Sequence, residues 1–231
     1  MSMIGSMIGS MIRKDTSTIS RRLAASAAAF ALAFSISLAP AGAATRVAFF
    51  AGGCFWCTEA DFEKLDGVQQ VVSGFMGGTE KNPKYKKVAS GLTGHKETVQ
   101  VTYDDAVISY QQLLSAFWRM HDPSDAGGSF VDRGKQYGSA IYYTDKKQEA
   151  LARGAKRALM EASKFDRPIA TVIAPAGPFY MADAYHQDYA KRHAVRYRFY
   201  RSRSGRDQFI AKVWDGDDRI YQDRRTAAGT P

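Results

Sequence analysis

Cys54 and Cys57 are the only cysteines in a chain of 231 residues, and they stand three positions apart in Cys54-Phe55-Trp56-Cys57. A pair this close makes a poor structural staple, because the loop it closes hardly restricts the unfolded chain. A four-thiolate zinc site would need a second pair, which the sequence lacks. Redox and nucleophilic chemistry remain. A cysteine attacks only as its thiolate, and a free pKa of about 8.5 leaves it mostly protonated at neutral pH. Unpaired N–H groups and the dipole at a helix N-terminus favour the charged form. The apolar run Arg46 to Ala51 reads as a buried strand, Gly52-Gly53 as a tight turn, and Cys54 to Leu65 as a helix with Phe55, Phe62 and Leu65 among charged residues. Cys54 is thus expected at a helix N-terminus, as a thiolate with an open front.

The elements that must hold this turn emerge from the rest of the pattern. After the break at Gly67, Val68 to Phe75 predicts a strand. Glu97 to Tyr103 alternates so that Val99 and Val101 share one face and Thr98, Gln100 and Thr102 the other. Ser109 is the expected N-cap of a helix from Tyr110 to His121, stopped by Asp122-Pro123. A glycine-bearing loop from Ser124 to Tyr137 precedes a strand over Ser139 to Thr144, a helix over Asp145 to Ala162, a short strand over Ala170 to Ala174 and a helix over Ala182 to His193. The order of strand, helix, strand, strand, helix, strand predicts an α+β fold: a ferredoxin-like split βαβ, two-layer sandwich on a mixed, mostly antiparallel sheet.

Residues 1–44 differ in composition from the remainder of the chain. A basic opening ends at Arg21-Arg22, an apolar run extends from Leu23 to Leu38, and small residues close the segment at Ala43-Ala44. That order predicts a signal peptide cleaved after Ala43 or Ala44, and export to a bacterial periplasm. The apolar run is short for a membrane anchor, which needs roughly 20 residues. Arg21-Arg22 fits the twin-arginine route only loosely, and the Ser-Met-Ile-Gly repeat is consistent with a start site placed too far upstream. Losing four cations and Asp15 with the leader takes the formal charge from +9 to +6. A single catalytic domain is expected over 45–214, with a flexible tail over 215–231. The densest basic cluster, from Lys191 to Arg206, is interleaved with Tyr197, Phe199 and Tyr200. With no nucleic-acid motif beside it, it reads as a solvated basic tail packing a few aromatics onto the domain.

Several further motifs occur in one order: Gly53-Cys54-Phe55-Trp56, Gly74-Phe75-Met76-Gly77-Gly78, Asn82-Pro83-Lys84-Tyr85, Ser90 to Glu97, Phe117-Trp118, His121-Asp122-Pro123, Gln136-Tyr137, Ser139 to Tyr142, and Tyr185-His186-Gln187. In these the chain resembles the A-type peptide methionine sulfoxide reductases over roughly residues 46 to 190. The resemblance implies that Cys54 attacks the sulfur of a methionine S-sulfoxide, free or in a protein, and becomes a sulfenic acid as methionine leaves. It also implies that Glu97 is the acid, that Tyr85 and Tyr137 donate hydrogen bonds to the sulfoxide oxygen, and that Phe55 and Trp56 wall in the S-methyl group. Asp132 is expected to shape the pocket, although Gly138 stands where relatives usually carry arginine, and Glu59 is a further candidate. To keep its proton at neutral pH, Glu97 must be desolvated, and a strand start beside Phe55 and Trp56 is expected to do this.

Many relatives carry resolving cysteines near the C-terminus, whereas the stretch from Tyr189 to Pro231 has none. That leaves Cys57 as the intramolecular candidate, forming a disulfide that a thioredoxin-like protein or a dithiol reduces. Direct resolution by an external thiol competes with it. No bound cofactor, no metal, no nucleic-acid partner and no stable membrane anchor are expected, and a monomer is. A general exported thiol-disulfide oxidoreductase is the rival reading, but it leaves the Glu97 and Tyr137 matches unexplained. A non-enzymatic adhesion module, binding through the basic aromatic tail, is a remoter one.

Overall fold

The computed structural model describes residues 45–214, so the leader expected over 1–44 and the tail over 215–231 lie outside the described residues. The strands are β1 (Thr45–Ala51), β2 (Val68–Met76), β3 (Lys96–Asp104), β4 (Gly128–Ser129), β5 (Asp132–Arg133), β6 (Ala140–Tyr143), β7 (Val172–Pro175) and β8 (Tyr180–Met181). Six form one sheet in the order β7-β6-β1-β3-β2-β8, while β4 and β5 make a separate ribbon. All neighbours in the large sheet are antiparallel except β6 and β7. The central order β6-β1-β3-β2 is the expected split βαβ arrangement.

The period of two in β3 decides what the sheet presents to its helices. Val101 lies between Ala48 of β1 and Val71 of β2, and Val99 between Phe50 and Ser73. All six are buried. Two residues earlier on the same face comes Glu97, opposite Phe75. The alternation that buries the valines therefore carries a carboxyl group into the apolar layer.

The helices are α1 (Phe55–Phe62), α2 (Tyr85–Ala89), α3 (Tyr110–Trp118), α4 (Lys146–Glu161), α5 (Tyr189–Arg192), α6 (Ala194–Arg203) and α7 (Arg206–Trp214). Phe50 from the sheet meets Phe62 of α1 and Phe117 of α3, each with ring centroids 4.9 Å away. Fully burying each such ring contributes about 1.5–3 kcal/mol, so this aromatic row ties α1 firmly to β1. Ser109 caps α3 as expected, in a reciprocal box. Its hydroxyl accepts from the Gln112 N–H at 3.2 Å, and the Gln112 side chain accepts from the Ser109 N–H at 2.9 Å. Ser109→Ala is expected to lower stability by about 1 kcal/mol. An unmoved urea midpoint would show that the box contributes nothing.

Three expectations are corrected. α1 ends at Phe62 and α3 at Trp118, because each chain tightens there into i→i−3 turns: Leu65 donates to Phe62, Arg119 to Ala116, and Met120 to Phe117. The single helix expected over Ala182 to His193 is instead a 3₁₀ turn at Ala184–His186 and the short α5, parted by Asp188 with φ 52°. Long-range bonding overrides the local pattern here. Gln187 accepts from the Ser73 N–H at 2.9 Å, donates to the Ser73 carbonyl at 2.8 Å, and so docks the segment on β2. The basic stretch packs Tyr197 and Tyr200 against the domain as expected, with Lys191, Arg192, Arg196, Arg198 and Arg203 exposed. It folds into α6 and α7, and Arg206 lies fully inside the protein.

Candidate active site

β1 enters the site through Gly52-Gly53, where Gly53 has φ +94° and a Cβ would stand 2.3 Å from the Ser129 Cβ. Only glycine takes that turn without strain or collision. Cys54 follows as the N-cap of α1, its carbonyl accepting from the N–H groups of Cys57 at 3.1 Å and Thr58 at 3.2 Å. The helix-start position expected of Cys54 is therefore present. The open front is not: Cys54 is 5% exposed, Cys57 0%, and Tyr189 and Tyr197 pack over the pair.

Burial changes the electrostatics that the helix start alone would produce. Desolvation pushes the Cys54 thiol well above its ordinary value, and Cys57, Glu97 and Asp132 push it in the same direction. Cys57, hydrogen-bonded to Cys54, is lowered to about 7 by that bond, with Arg206 and Arg201 helping. The expected resting thiolate on Cys54 is thus corrected. The two sulfurs share a proton, and the charge rests on Cys57 because the Cys54 thiol donates to it.

Glu97 is 2% exposed and accepts from the Phe55 N–H at 3.0 Å. Burial outweighs this hydrogen bond and raises its carboxyl to about 8, with Asp132 and Cys57 adding to the shift. The expected neutral acid beside Phe55 is in place. Tyr85 and Tyr137 are both kept as phenols, chiefly by burial, and each lies within electrostatic reach of Glu97, Asp132 and Cys54. They therefore border the same group of polar side chains as the cysteine. Asp132 accepts from the Tyr200 hydroxyl, and burial raises its carboxyl.

Around this polar group runs an aromatic wall. Phe55 packs against Phe75, Tyr85 and His186. Trp56 stacks on Tyr189 at 3.7 Å, nearly parallel, and meets Tyr200 edge-on. Beside it opens a cavity of about 520 Å³ that shares Phe75 and Tyr85. Glu59 is the candidate that does not join the group. Burial raises its carboxyl to about 7, but it faces the Asp188 and Tyr189 backbone and Glu63. It sits beneath α5 rather than beside Cys54. Among the described residues no cluster of three or more histidines, cysteines and carboxylates could hold a metal.

Sequence reasoning missed His186, Tyr189, Tyr200 and Arg206. A signal for the C-terminal part was available. Tyr197, Tyr200 and Arg201 follow i, i+3, i+4 spacing, which gives α6 a face to lay against the cysteines.

The family model for peptide methionine sulfoxide reductase matches residues 46–218. The peptide methionine sulfoxide reductase MsrA of Bacillus licheniformis is 49% identical over 168 residues, covering 73% of this chain and 93% of that protein. Among solved structures, methionine sulfoxide reductase A of Corynebacterium diphtheriae aligns with a TM-score of 0.59 at 32% identity, over 65% of this chain and 76% of its own. Mxr1 from Saccharomyces cerevisiae, in reduced form, aligns with 0.61 at 31% identity, over 65% and 86%. Likeness of this degree, running almost the full length of a relative, places the chain among the A-type peptide methionine sulfoxide reductases, as a peptide-methionine (S)-S-oxide reductase that repairs oxidised methionine.

Proposed function

We propose that Cys54 is the nucleophile, Glu97 the proton donor and Cys57 the resolving thiol of this reaction. What carries the reading is Glu97: a carboxyl buried to 2% exposure and held protonated to about 8, bonded to the backbone of the residue that follows Cys54. A group with that titration can give up a proton at neutral pH.

Loss of one proton from the cysteine pair near pH 7 leaves an anion shared through the Cys54–Cys57 hydrogen bond. Shifting the remaining proton onto Cys57 frees the Cys54 thiolate. Its sulfur attacks the sulfoxide sulfur while Glu97 protonates the sulfoxide oxygen, with the Tyr85 and Tyr137 hydroxyls donating to it. The S–O bond breaks, methionine leaves with two more electrons, and Cys54 keeps the oxygen as sulfenic acid. The Cys57 sulfur then attacks the Cys54 sulfur while its proton passes to the departing hydroxyl, which leaves as water, and a Cys54–Cys57 disulfide remains for a thioredoxin-like dithiol to reduce. Phe55 and Trp56 offer the S-methyl group an apolar, sulfur-tolerant wall, and Asp132, fixed by Tyr200, shapes its floor. The 520 Å³ cavity beside Tyr85 has room for residues flanking a protein-bound sulfoxide.

The composition of residues 1–44 supports export, so the electrons would reach the enzyme from across the membrane. The test uses the S epimer of dabsylated methionine sulfoxide with a dithiol. The intact protein turns over, and absence of product overturns the assignment; reduction of insulin disulfides instead would favour a general oxidoreductase. Cys57→Ser is expected to release one equivalent of methionine and then stall. Sustained turnover of that variant with a thioredoxin-like reductant would remove Cys57 from the cycle.

A further inference from the structure

Arg206 is the first residue of α7, is 1% exposed, and lies beside the turn that presents Cys54. Both terminal nitrogens reach the Gly52 carbonyl at 3.4 Å. Nη2 also donates to the Ser129 hydroxyl at 3.4 Å, and Nη1 to the Met120 carbonyl. A Cβ on Gly53 would stand 3.2 Å from Nη2. The guanidinium carbon lies 4.8 Å from the centre of the Phe130 ring, and Nε has no hydrogen-bond partner among the described residues.

Burying a guanidinium is costly unless an anion compensates it. Among the described residues no carboxylate lies within ion-pair distance of Arg206. The groups facing the cysteine pair leave few alternatives. Asp132 and Asp61 would repel a thiolate, and Glu97 is a neutral acid below about 8. Tyr85, Tyr137, Tyr197 and Tyr200 are neutral phenols. Arg201 is cationic but already bound to Asp61 at 2.9 Å and Asp207 at 2.8 Å. Arg206 is the facing cation with no carboxylate at ion-pair distance; the Cys57 charge acts on it most, ahead of Asp61, which Arg201 already binds, and of Cys54.

We propose that Arg206 is a positioning residue of the active site: it clamps the Gly52-Gly53 turn and serves as the fixed counter-ion of the Cys54–Cys57 thiolate. The α6–α7 extension is then part of the catalytic apparatus, and the enzyme ionises its sulfur in a closed site by bringing a cation 154 positions along the chain to the turn. This rests on the cysteine pair being the reacting group, yet it can fail separately, because thiol ionisation is measured without any sulfoxide.

The experiment is the pH dependence of iodoacetamide alkylation of the full chain, with the modified cysteine located by tandem mass spectrometry. Arg206→Gln keeps polar reach to Gly52 but removes the charge. Its alkylation midpoint is expected to rise by about one pH unit, with roughly tenfold slower reaction at pH 7. Arg206→Lys keeps the charge and loses the planar fork. Its midpoint is expected to stay close to that of the intact protein while kcat for sulfoxide reduction falls. A folded Arg206→Gln protein with an unmoved midpoint overturns the proposal. If that variant does not fold, Arg206→Lys decides, and a rise of a full unit there overturns it equally. Unchanged sulfoxide turnover with a shifted thiol midpoint would instead count against the cysteine pair as the reacting group, leaving the counter-ion role standing.

Discussion

Glu97→Gln is expected to lower kcat by about 10²- to 10⁴-fold, the range a positioned general acid contributes, and to remove the alkaline limb of the pH profile. On the proposed mechanism the cysteine pair loses a proton near pH 7, and Glu97 keeps one until about 8. The rate should therefore rise through the first value and be lost through the second. Glutamine still accepts from the Phe55 N–H but has no proton to give, so only the acid limb should survive. An alkaline limb unchanged in the variant would take Glu97 out of the role.

The same substitution has a stability signature of defined sign. The folded carboxyl titrates above its unfolded value of 4.5, so between about 4.5 and 8 the native state binds more protons than the unfolded one. Stability then falls as pH rises through that window. Glutamine does not titrate, and from pH 5 to 8 the variant should gain on the intact protein by roughly 3 kcal/mol. Urea unfolding at the two pH values reads this directly. Parallel pH dependence in both proteins would mean that Glu97 is not held neutral by the fold.

Cys54→Ser should reduce turnover by at least about 10⁴-fold, as expected when a nucleophile is removed, and should abolish dimedone labelling during reaction. Electron supply rather than acidity sets this loss. The sulfoxide sulfur must gain two electrons, and they come from the attacking sulfur as it becomes sulfenic acid. A serine oxygen cannot donate them, so faster ionisation would not rescue it. Cys57, one helical turn further on, is 0% exposed against 5% for Cys54, and is not expected to stand in. Product formation at the intact enzyme's rate by the Cys54→Ser chain would move the chemistry to Cys57.

Much of the scaffold was legible along the chain because its signals are local. The alternation of Val99 and Val101, the Ser109 cap and the Gly52-Gly53-Cys54 turn each lie within a few residues and obey backbone geometry. The strand order came from the succession of elements, since short connections leave few ways to pair them. Motif order singles out Cys54, Glu97, Tyr85 and Tyr137 as candidates, and the structure puts Glu97 on the face whose valines the period of two in β3 marks.

The protonation state of the sulfurs was a different matter. A helix start by itself argues for a Cys54 thiolate, yet the structure leaves that sulfur protonated, because desolvation and the hydrogen bond to Cys57 outweigh the dipole. Tyr189, Tyr200 and Arg206 reach the pair from the far end of the chain, and Gln187 breaks an expected helix by bonding to Ser73, 114 positions away. Residue types and their spacing determined which atoms could react and on which face of which strand they lie. Only the tertiary structure decided how much water and which charges surround them, since desolvation and Coulomb energy depend on distances in space that separation along the chain does not encode.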